Sequence, residues 1–431
     1  MNKFKLNPLE KSWILYDIAN SAFVLLVSTL IPIYFNSLAG SAGVDETRYL
    51  SLWGGATSIS SVIVAVLAPI CGALSDRKFK KPIFMIAMLL GCAACVSMGF
   101  VTHWLAFLAV FMISQVGFHS SIVFYDSMLP EITTKERMDN VSSMGYGYGY
   151  IGSVIPFVIC LAPVLAINMG WVDISMGSAM TFAFLLTAVW WLVLTLPLAR
   201  KYKQTAFVSK EHSAIGDAFR QLGKTFRDAK KEKHIFVYMI SFFFFINGVY
   251  TIISMATTYG NALFGPDDDT SLLLALLVTQ IVAFPFAIFF GKISQKKDLA
   301  MLMKICILAY TGITVFAFFL GSIWQFWLLA VLVGMFQGGI QAMSRSYLGK
   351  IVPPERSGEF FGLMDICGKG ASFLGAGLVA LVNELAAGFE FTVFGMNLNS
   401  NNLAVGSLVI LFIIGFFLFC KADKLNKARQ Q

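Results

Sequence analysis

Charged residues are scarce in this chain of 431 residues. They make up 13% of the sequence, whereas hydrophobic residues make up 57%. Soluble domains contain about 25% charged residues. A soluble fold could not remove so much apolar surface from water, but a bilayer is itself an apolar solvent for helices of about 20 residues. The composition therefore predicts an integral membrane protein.

The long apolar runs also lack the alternation that is typical of strands. A lipid-facing backbone must satisfy its hydrogen bonds within the chain, which leaves helices and closed barrels. Runs without alternation favour helices, so we predict an all-α membrane protein with twelve transmembrane helices. The predicted spans are 12–37, 49–73, 82–102, 104–128, 141–166, 176–198, 235–263, 271–292, 299–320, 323–349, 358–388 and 403–421.

Common catalytic and metal motifs are missing as well. The sequence has no Walker loop, no HExxH and no GxSxG. Cys92 and Cys95 form a single CxxC in the middle of a predicted span, where free cysteine behaves as a small apolar residue. The sequence therefore predicts no catalytic residue, no cofactor and no metal site.

Basic residues are distributed asymmetrically along the chain. On one side of the predicted spans the loops contain only Arg48, and the other 31 of the 32 basic residues lie on or near the opposite side. Basic loops face the cytosol, so both termini are predicted to be cytosolic, and the short loops favour a bacterial inner membrane. This pattern explains the net charge of +8 without nucleic acid as a partner.

One long polar segment, 200–234, contains ten basic residues and has helical periodicity in its central part. It is either an amphipathic helix on the membrane surface or a solvated linker between two bundles. The sequence leaves these alternatives open.

The chain contains an internal repeat at a shift of 219 residues. The shift brings GALSDRK (Gly72 to Lys78) onto GKISQKK (Gly291 to Lys297), and SMLPEITTKER (Ser127 to Arg137) onto SYLGKIVPPER (Ser346 to Arg356), without a gap between them. Such repeats are common in secondary transporters, and we predict two six-helix bundles joined by a linker. The predicted domains are 1–199, 200–234 and 235–431.

These residues resemble a known family. GALSDRKFKKP (Gly72 to Pro82) is similar to the signature loop of the major facilitator superfamily. SWILYDIANSAF (Ser12 to Phe23), the motifs within Tyr125 to Ser153, and QGGIQAMSRSYLGKIVPPERSGEFFGLMDICGKGAS (Gln337 to Ser372) resemble vacuole-effluxer-like permeases, which are related to fungal autophagy amino-acid effluxers. The resemblance covers most of the chain. It implies two six-helix bundles around a central cavity, alternating access and amino-acid efflux.

Five residues are candidates for gating. Asp76, in the signature loop with Gly72 and Arg77, is predicted to accept hydrogen bonds from the N-terminus of a neighbouring helix and so to latch one conformation. Arg77, Lys78, Lys80 and Lys81 are predicted to be positive-inside anchors at the interface. The alternative is that all five charges of this loop, Asp76 included, only orient the hairpin. Asp126 and Arg345 are related by the repeat and are predicted to form a gate pair; alternatively, each snorkels separately to the interface.

A second group of polar residues is predicted to bind the solute. Asp365 and Lys369 share one helix face near the predicted midplane, and the repeat places Tyr146 and Tyr150 at the equivalent positions. These four groups would converge where transporter sites form, although an internal Asp365–Lys369 pair could instead stabilise its helix. Further candidates for lining the cavity, each of which could instead form an interhelical hydrogen bond, are Asn20, Asn247, Tyr250, Gln280, Gln337 and Gln341.

A site with charges of both signs suits a zwitterion. We therefore predict a secondary transporter of an amino acid or short peptide, with proton coupling through Asp17 or Asp365; Asp17 could instead be a helix-start carboxylate. One alternative is a transporter of drugs or amphipathic lipids, which a mostly apolar cavity would favour. Another is a membrane-embedded sensor or channel. The predicted partners are a small-molecule solute, the bilayer and protons, and we expect a monomer.

Overall fold

The computed structural model describes residues 4–45, 48–208, 231–264, 269–393 and 396–430. Within these ranges, several helical and strand side chains are outside the description, among them those of residues 369–373. The central part of the predicted amphipathic linker, 209–230, and the side chain of Lys369 therefore lie outside the described residues.

The described chain is almost entirely helical. Its helices are α1 (Pro8–Ser28), α2 (Leu30–Ser41), α3 (Tyr49–Leu74), α4 (Lys80–Met98), α5 (Trp104–Ser127), α6 (Leu129–Ile132), α7 (Met138–Asn168), α8 (Met176–Lys201), α9 (Lys233–Phe264), α10 (Asp269–Ile293), α11 (Leu299–Phe318), α12 (Ile323–Ile351), α13 (Ser357–Leu385), α14 (Ser400–Gly406) and α15 (Val409–Gln430). Strands β1 (Phe391–Val393) and β2 (Met396–Leu398) pair antiparallel, with Phe391 opposite Leu398.

The helices agree with the predicted spans. Ten stretches of the described residues are long and apolar enough to cross a membrane. One of them, Ser51–Met98, is 48 residues long and contains most of α3 and all of α4. Helix α13, with 29 residues, adds a further span-length helix, which brings the number to twelve. The predicted all-α membrane fold is confirmed.

Packing divides the chain into two compact units. Unit 1 comprises Met1–Thr134, Tyr148–Ala218 and Pro354–Gly362, and unit 2 comprises Lys135–Gly147, Phe219–Pro353 and Leu363–Gln431. Each unit thus contains a short segment from the other half of the sequence: unit 1 contains the start of α13, and unit 2 contains the start of α7. The domain boundaries at 199 and 235 stay predictions.

Unit 1 begins with a capped helix. The side chain of Asn7 accepts hydrogen bonds from the amides of Leu9 and Glu10, and the Glu10 carboxylate accepts one from the Asn7 amide. This capping box satisfies amides that have no partner within the helix. Farther along α1, Trp13 stacks on Tyr125 of α5 with ring centroids 4.4 Å apart, which packs α1 against α5.

Unit 2 has an aromatic core of the same kind. Tyr310 of α11 stacks on Phe412 of α15, with ring centroids 5.6 Å apart. Tyr238 of α9 is fully buried, and its hydroxyl donates to the carbonyl oxygen of Ser344 in α12 at 2.8 Å. Buried hydroxyls of this type are hydrogen-bonded because an unsatisfied polar group inside the protein is costly.

Candidate functional site

The signature loop caps a helix that is distant in sequence. Asp76 lies in Ser75–Phe79, a π-type segment between α3 and α4. Its carboxylate oxygens accept hydrogen bonds from the amides of Gly358 at 2.8 Å and Glu359 at 2.9 Å. These amides belong to the first turn of α13, where amides have no acceptor within the helix and the helix dipole favours negative charge. We call this arrangement the Asp76 latch; its role in transport stays a prediction.

Two glycines allow the latch to form. A Cβ atom on Gly72 would lie 2.9 Å from the carbonyl carbon of Gly358. A Cβ atom on Gly358 would lie 2.7 Å from the Asp76 carboxylate. Both distances are shorter than the van der Waals contact distance. A side chain at either position would therefore force the end of α3 away from the start of α13. The latch therefore requires glycine at both positions.

Lys80 lies buried at the centre of this site. Its Nζ atom is 2.7 Å from Glu131 Oε1, 2.8 Å from Ser357 Oγ and 3.8 Å from Asp76 Oδ1. Lys80 is therefore not the interfacial anchor that the sequence predicts, because its side chain is fully buried between two carboxylates. Burial raises the pKa of Asp76, which lies outside the membrane-spanning helices, to about 7, and the charge of Lys80 opposes this shift.

A segment after α8 covers the latch. We call Tyr202–Val208 the strap. Glu131 accepts hydrogen bonds from the Tyr202 hydroxyl at 3.0 Å, the Thr205 amide at 2.7 Å and the Ala206 amide at 3.1 Å, in addition to the contact with Lys80. The Glu131 side chain is 1% exposed. A single carboxylate thus joins the strap to the buried lysine of the latch.

The strap also bonds to the backbone of the signature loop. Gln204 donates from Nε2 to the carbonyl oxygen of Ser75 at 2.9 Å and accepts from the amide of Lys80 at 3.1 Å. The amide of Val208 donates to the carbonyl oxygen of Asp76 at 2.8 Å. These bonds hold both sides of the Asp76 turn.

Two basic residues of the turn differ in their surroundings. Lys78 has a left-handed backbone (φ 73°) and its Nζ atom lies 4.0 Å from the ring centroid of Phe207 in the strap, a cation–π contact. Arg77 is half-buried and has non-helical dihedral angles. No pattern in the sequence indicates the strap, because the residues that it contacts are more than 70 positions away.

In unit 2, Arg345 is held by the start of α7. Its Nε atom donates to Ser142 Oγ at 2.9 Å, and its Nη2 atom donates to the Ser142 carbonyl oxygen at 2.9 Å. The guanidinium carbon lies 4.2 Å from the ring centroid of Tyr146. We call these three residues the Arg345 cluster. Tyr146, predicted to bind solute, therefore contacts a residue that is predicted to gate. Asp126 belongs to unit 1, and its pairing with Arg345 stays a prediction.

The repeat extends to these contacts. Lys350 Nζ lies 2.6 Å from Asp139 Oδ2, and the shift of 219 residues relates these two residues to Glu131 and Gly358 of the Asp76 latch. Gly291, the equivalent of Gly72, packs against α7, where a Cβ would lie 2.7 Å from Ser143 Cβ. We call Asp139, Lys350 and Gly291 the Asp139 latch. Like the Asp76 latch, it places a glycine against a helix start, but the two latches use different ion pairs.

The residues that are predicted to bind the solute belong to different units. Asp365 is half-buried on α13 in unit 2, and Tyr150 is buried on α7 in unit 1. Asp17 is 8% exposed within α1. The convergence of Tyr146, Tyr150, Asp365 and Lys369 stays a prediction.

Two of the predicted amides bond within their own helix. Asn20 donates from Nδ2 to the carbonyl oxygen of Tyr16 at 2.8 Å, and Asn247 donates from Nδ2 to that of Phe243. These bonds are local and do not join helices. Tyr250 and Gln341 are half-buried.

Unit 2 encloses a cavity between α9, α10, α11, α12, α13 and α14. The empty space between these helices is about 690 Å³, a volume that includes space open to the surroundings. Two predicted cavity residues, Gln280 and Gln337, line it, together with apolar side chains such as Phe326 and Leu329. Gln337 is 5% exposed, and its Oε1 atom has no hydrogen-bond partner among the described residues.

Comparison with known proteins identifies the family. Residues 9–431 match the sequence model of the family described as vacuole effluxer Atg22 like. The chain belongs to this family. An uncharacterized MFS-type transporter, YxiO of Bacillus subtilis (strain 168), is 37% identical over 413 residues, which cover 95% of this chain and 93% of the relative.

Fungal relatives match over a smaller part. Autophagy-related protein 22-2 of Aspergillus clavatus is 24% identical over 270 residues, which are 57% of this chain and 43% of the fungal protein. The chain thus matches less than half the length of that protein.

Solved structures show the same fold. A bacterial homologue of the iron transporter ferroportin in an outward-facing state has a TM-score of 0.71 at 14% identity, covering 97% of this chain and 98% of the other. The human organic anion transporter MFSD10 has a TM-score of 0.70 at 16% identity, covering 95% and 98%. This member of the Atg22-like family is therefore an integral membrane transporter with the major facilitator fold.

Proposed function

We propose that this transporter moves a small zwitterionic solute, an amino acid or a short peptide, by alternating access. The observation that supports the proposal is the position of Asp365. It lies seven residues beyond Gly358 on the same helix, α13, a rise of roughly 10 Å. A carboxylate within a membrane helix is costly and is usually kept for a substrate or a proton. Asp365 would bind the ammonium group of the solute.

The same helix joins the solute site to the latch. Helix α13 carries both Asp365 and the amides that Asp76 caps. A movement of α13 in response to solute would therefore break the cap. In the other repeat, α7 carries Asp139 at the position equivalent to Gly358 and Tyr146 at the position equivalent to Asp365. Asp139 pairs with Lys350. We propose that both latches close the site on the cytosolic side, with Asp126 and Arg345 as a gate pair, and open as the solute is released.

Protons are the proposed coupling ion. Asp17 in α1 and Asp365 in α13 are ionisable groups within predicted spans, where proton relays of transporters lie. Counterflow in proteoliposomes tests the proposal. Vesicles preloaded with unlabelled amino acids or dipeptides should accumulate the same labelled compound, and an imposed pH gradient should drive net flux. Saturable counterflow would distinguish a carrier from a channel.

Variants connect the flux to Asp365. Asp365→Asn should reduce counterflow at least about tenfold, because it removes a charge that would pair with the ammonium group. Glu384→Gln, at the exposed end of the same helix, is the matched control and should retain wild-type flux. Counterflow of amphipathic drugs or lipids alone, insensitive to Asp365→Asn, would favour the alternative substrate class.

We also propose a monomer in a bacterial inner membrane with both termini in the cytosol, a topology that the asymmetry of basic residues supports. Reporter fusions test the topology. A fluorescent protein at the C-terminus should fold and fluoresce, whereas alkaline phosphatase at the same place should be inactive. The opposite result would mean that the C-terminus and the latches lie on the side away from the cytosol.

A further inference from the structure

The cavity of unit 2 contains few polar groups. Among its described lining residues none carries a charge at neutral pH. Its lining includes the N-terminal half of α12 together with residues of α9, α10, α11, α13 and α14. Asp365 is not among its described lining residues. The cavity is therefore a place distinct from the proposed zwitterion site.

Two of the polar groups in the cavity wall are already hydrogen-bonded, whereas the buried hydroxyl of Thr251 has no hydrogen-bond partner among the described residues. The hydroxyl of Tyr259 donates to the carbonyl oxygen of Ala317 at 2.8 Å and accepts from Asn402 Nδ2 at 3.1 Å. The hydroxyl of Thr279 lies 3.0 Å from the carbonyl oxygen of Ala275, and donates to it. These groups stabilise the wall, and they have little capacity left for a ligand.

Gln337, like Thr251, has an unsatisfied polar atom, and in Gln337 that atom is a carbonyl oxygen, which can only accept. Its side chain is 95% buried, it lines the cavity, and its Oε1 atom has no partner among the described residues. A buried carbonyl oxygen without a hydrogen bond is unfavourable, because it has lost water and gained nothing in return. A ligand that donates one hydrogen bond to this atom would satisfy it and so remove the unfavourable term.

We propose that this cavity is a binding site for an uncharged, apolar molecule that donates one N–H or O–H group to Oε1 of Gln337. The ligand is uncharged because the wall offers no group that would compensate a charge in an apolar surrounding. Its body is apolar because residues such as Phe326, Leu329 and Val333 form most of the wall.

Two probes of nearly equal size test the proposal. Indole is neutral and apolar and has one N–H donor, whereas 1-methylindole has none. Binding to the full-length protein in nanodiscs is measured by calorimetry, with empty nanodiscs as the reference for partition into lipid. Indole should bind saturably and about tenfold more tightly than 1-methylindole, because only indole can donate to Gln337.

Three variants distinguish the contribution of the hydrogen bond from that of the cavity volume. Gln337→Met keeps the approximate length of the side chain and removes the acceptor, so both probes should bind with the same affinity. Gln295→Met makes the same change at an exposed position and should keep the preference for indole. Ala330 lines the cavity, so the larger side chain in Ala330→Leu fills part of it and should abolish binding of both probes. This variant keeps the test informative if Gln337→Met does not fold.

The proposal would be overturned by equal binding of the two probes to the wild-type protein, or by a preference for indole that Gln337→Met leaves intact. Binding that no variant changes would show partition into lipid only. The site does not depend on the proposed zwitterion transport, so a loss of counterflow without a change in indole binding would leave it standing.

Discussion

Asp76 accepts a hydrogen bond from the amide of Gly358 at 2.8 Å, although 282 residues separate the two in the sequence. The bond connects the signature loop of the first repeat to the first turn of α13, which belongs to the second. The donors are amides that the helix itself cannot satisfy, so the carboxylate caps the helix and its position reports directly on that of α13.

The close approach of α3 and α13 predicts that Gly72→Ala weakens the latch. The added methyl group would meet the backbone of Gly358, and overpacking of this kind costs about 1–3 kcal/mol. We expect faster hydrogen exchange at the amides of Gly358 and Glu359, measured by mass spectrometry in nanodiscs. Gly54→Ala, on the same helix with open space around it, should change nothing. Unchanged exchange in Gly72→Ala would show that the two helices are farther apart in the membrane.

The pKa of Asp76 predicts a pH dependence of the latch. Burial raises this pKa from 3.8 to about 7, whereas an open, solvated Asp76 would have its ordinary value. The closed latch therefore binds its proton more tightly than the open one, and it loses stability as the pH rises from about 4 to about 7. Above about 7 no further change is expected.

Hydrogen exchange tests the direction of this pH dependence. After correction for intrinsic rates, protection of the Gly358 and Glu359 amides should be higher at about pH 5 than at about pH 7.5. Asp76→Asn removes the titrating group and should make protection independent of pH. Greater protection at the higher pH would mean that the ionised carboxylate is the favoured form in the closed latch.

The strap depends on one carboxylate, so Glu131→Gln should release it. Glutamine has an NH₂ group in place of one carboxylate oxygen, and each oxygen of Glu131 accepts from at least two donors. Hydrogen bonds to a charged group contribute about 1.5–3 kcal/mol each. We expect at least about tenfold faster exchange of the Thr205 and Ala206 amides. Glu355→Gln, at an exposed position, is the control; normal protection of the strap in Glu131→Gln would refute its dependence on the charge.

The Arg345 cluster predicts that lysine cannot replace arginine. A guanidinium group donates through two nitrogens to Ser142 and also stacks on the ring of Tyr146, which a lysine ammonium group cannot do in the same geometry. Arg345→Lys should therefore reduce transport at least several-fold. Tyr146→Phe keeps the ring and should retain stacking, whereas Tyr146→Ala should resemble Arg345→Lys. If Tyr146→Phe alone abolishes transport, the hydroxyl binds solute, as the sequence predicts.

Much of this protein could be predicted from its sequence. Apolar runs of about 20 residues have one stable solution in a bilayer, so the helices follow from local composition. The repeat of 219 residues and the signature loop are also visible in the chain, and they led to Asp76 as a capping carboxylate and to the family. Each of these features depends either on residues that are close together in the sequence or on a repeat at a fixed spacing.

Tertiary structure decided which charges are buried and what each one contacts. Lys80 looks like an interfacial anchor in the sequence, yet it lies between Glu131 and Asp76. The strap, the stacking of Tyr146 on Arg345 and the unsatisfied oxygen of Gln337 depend on residues far apart in the chain. A sequence pattern fixes the face and approximate depth of a side chain on its helix. The neighbour it meets there depends on how the helices pack, and this sets the energy of a buried charge or hydrogen bond.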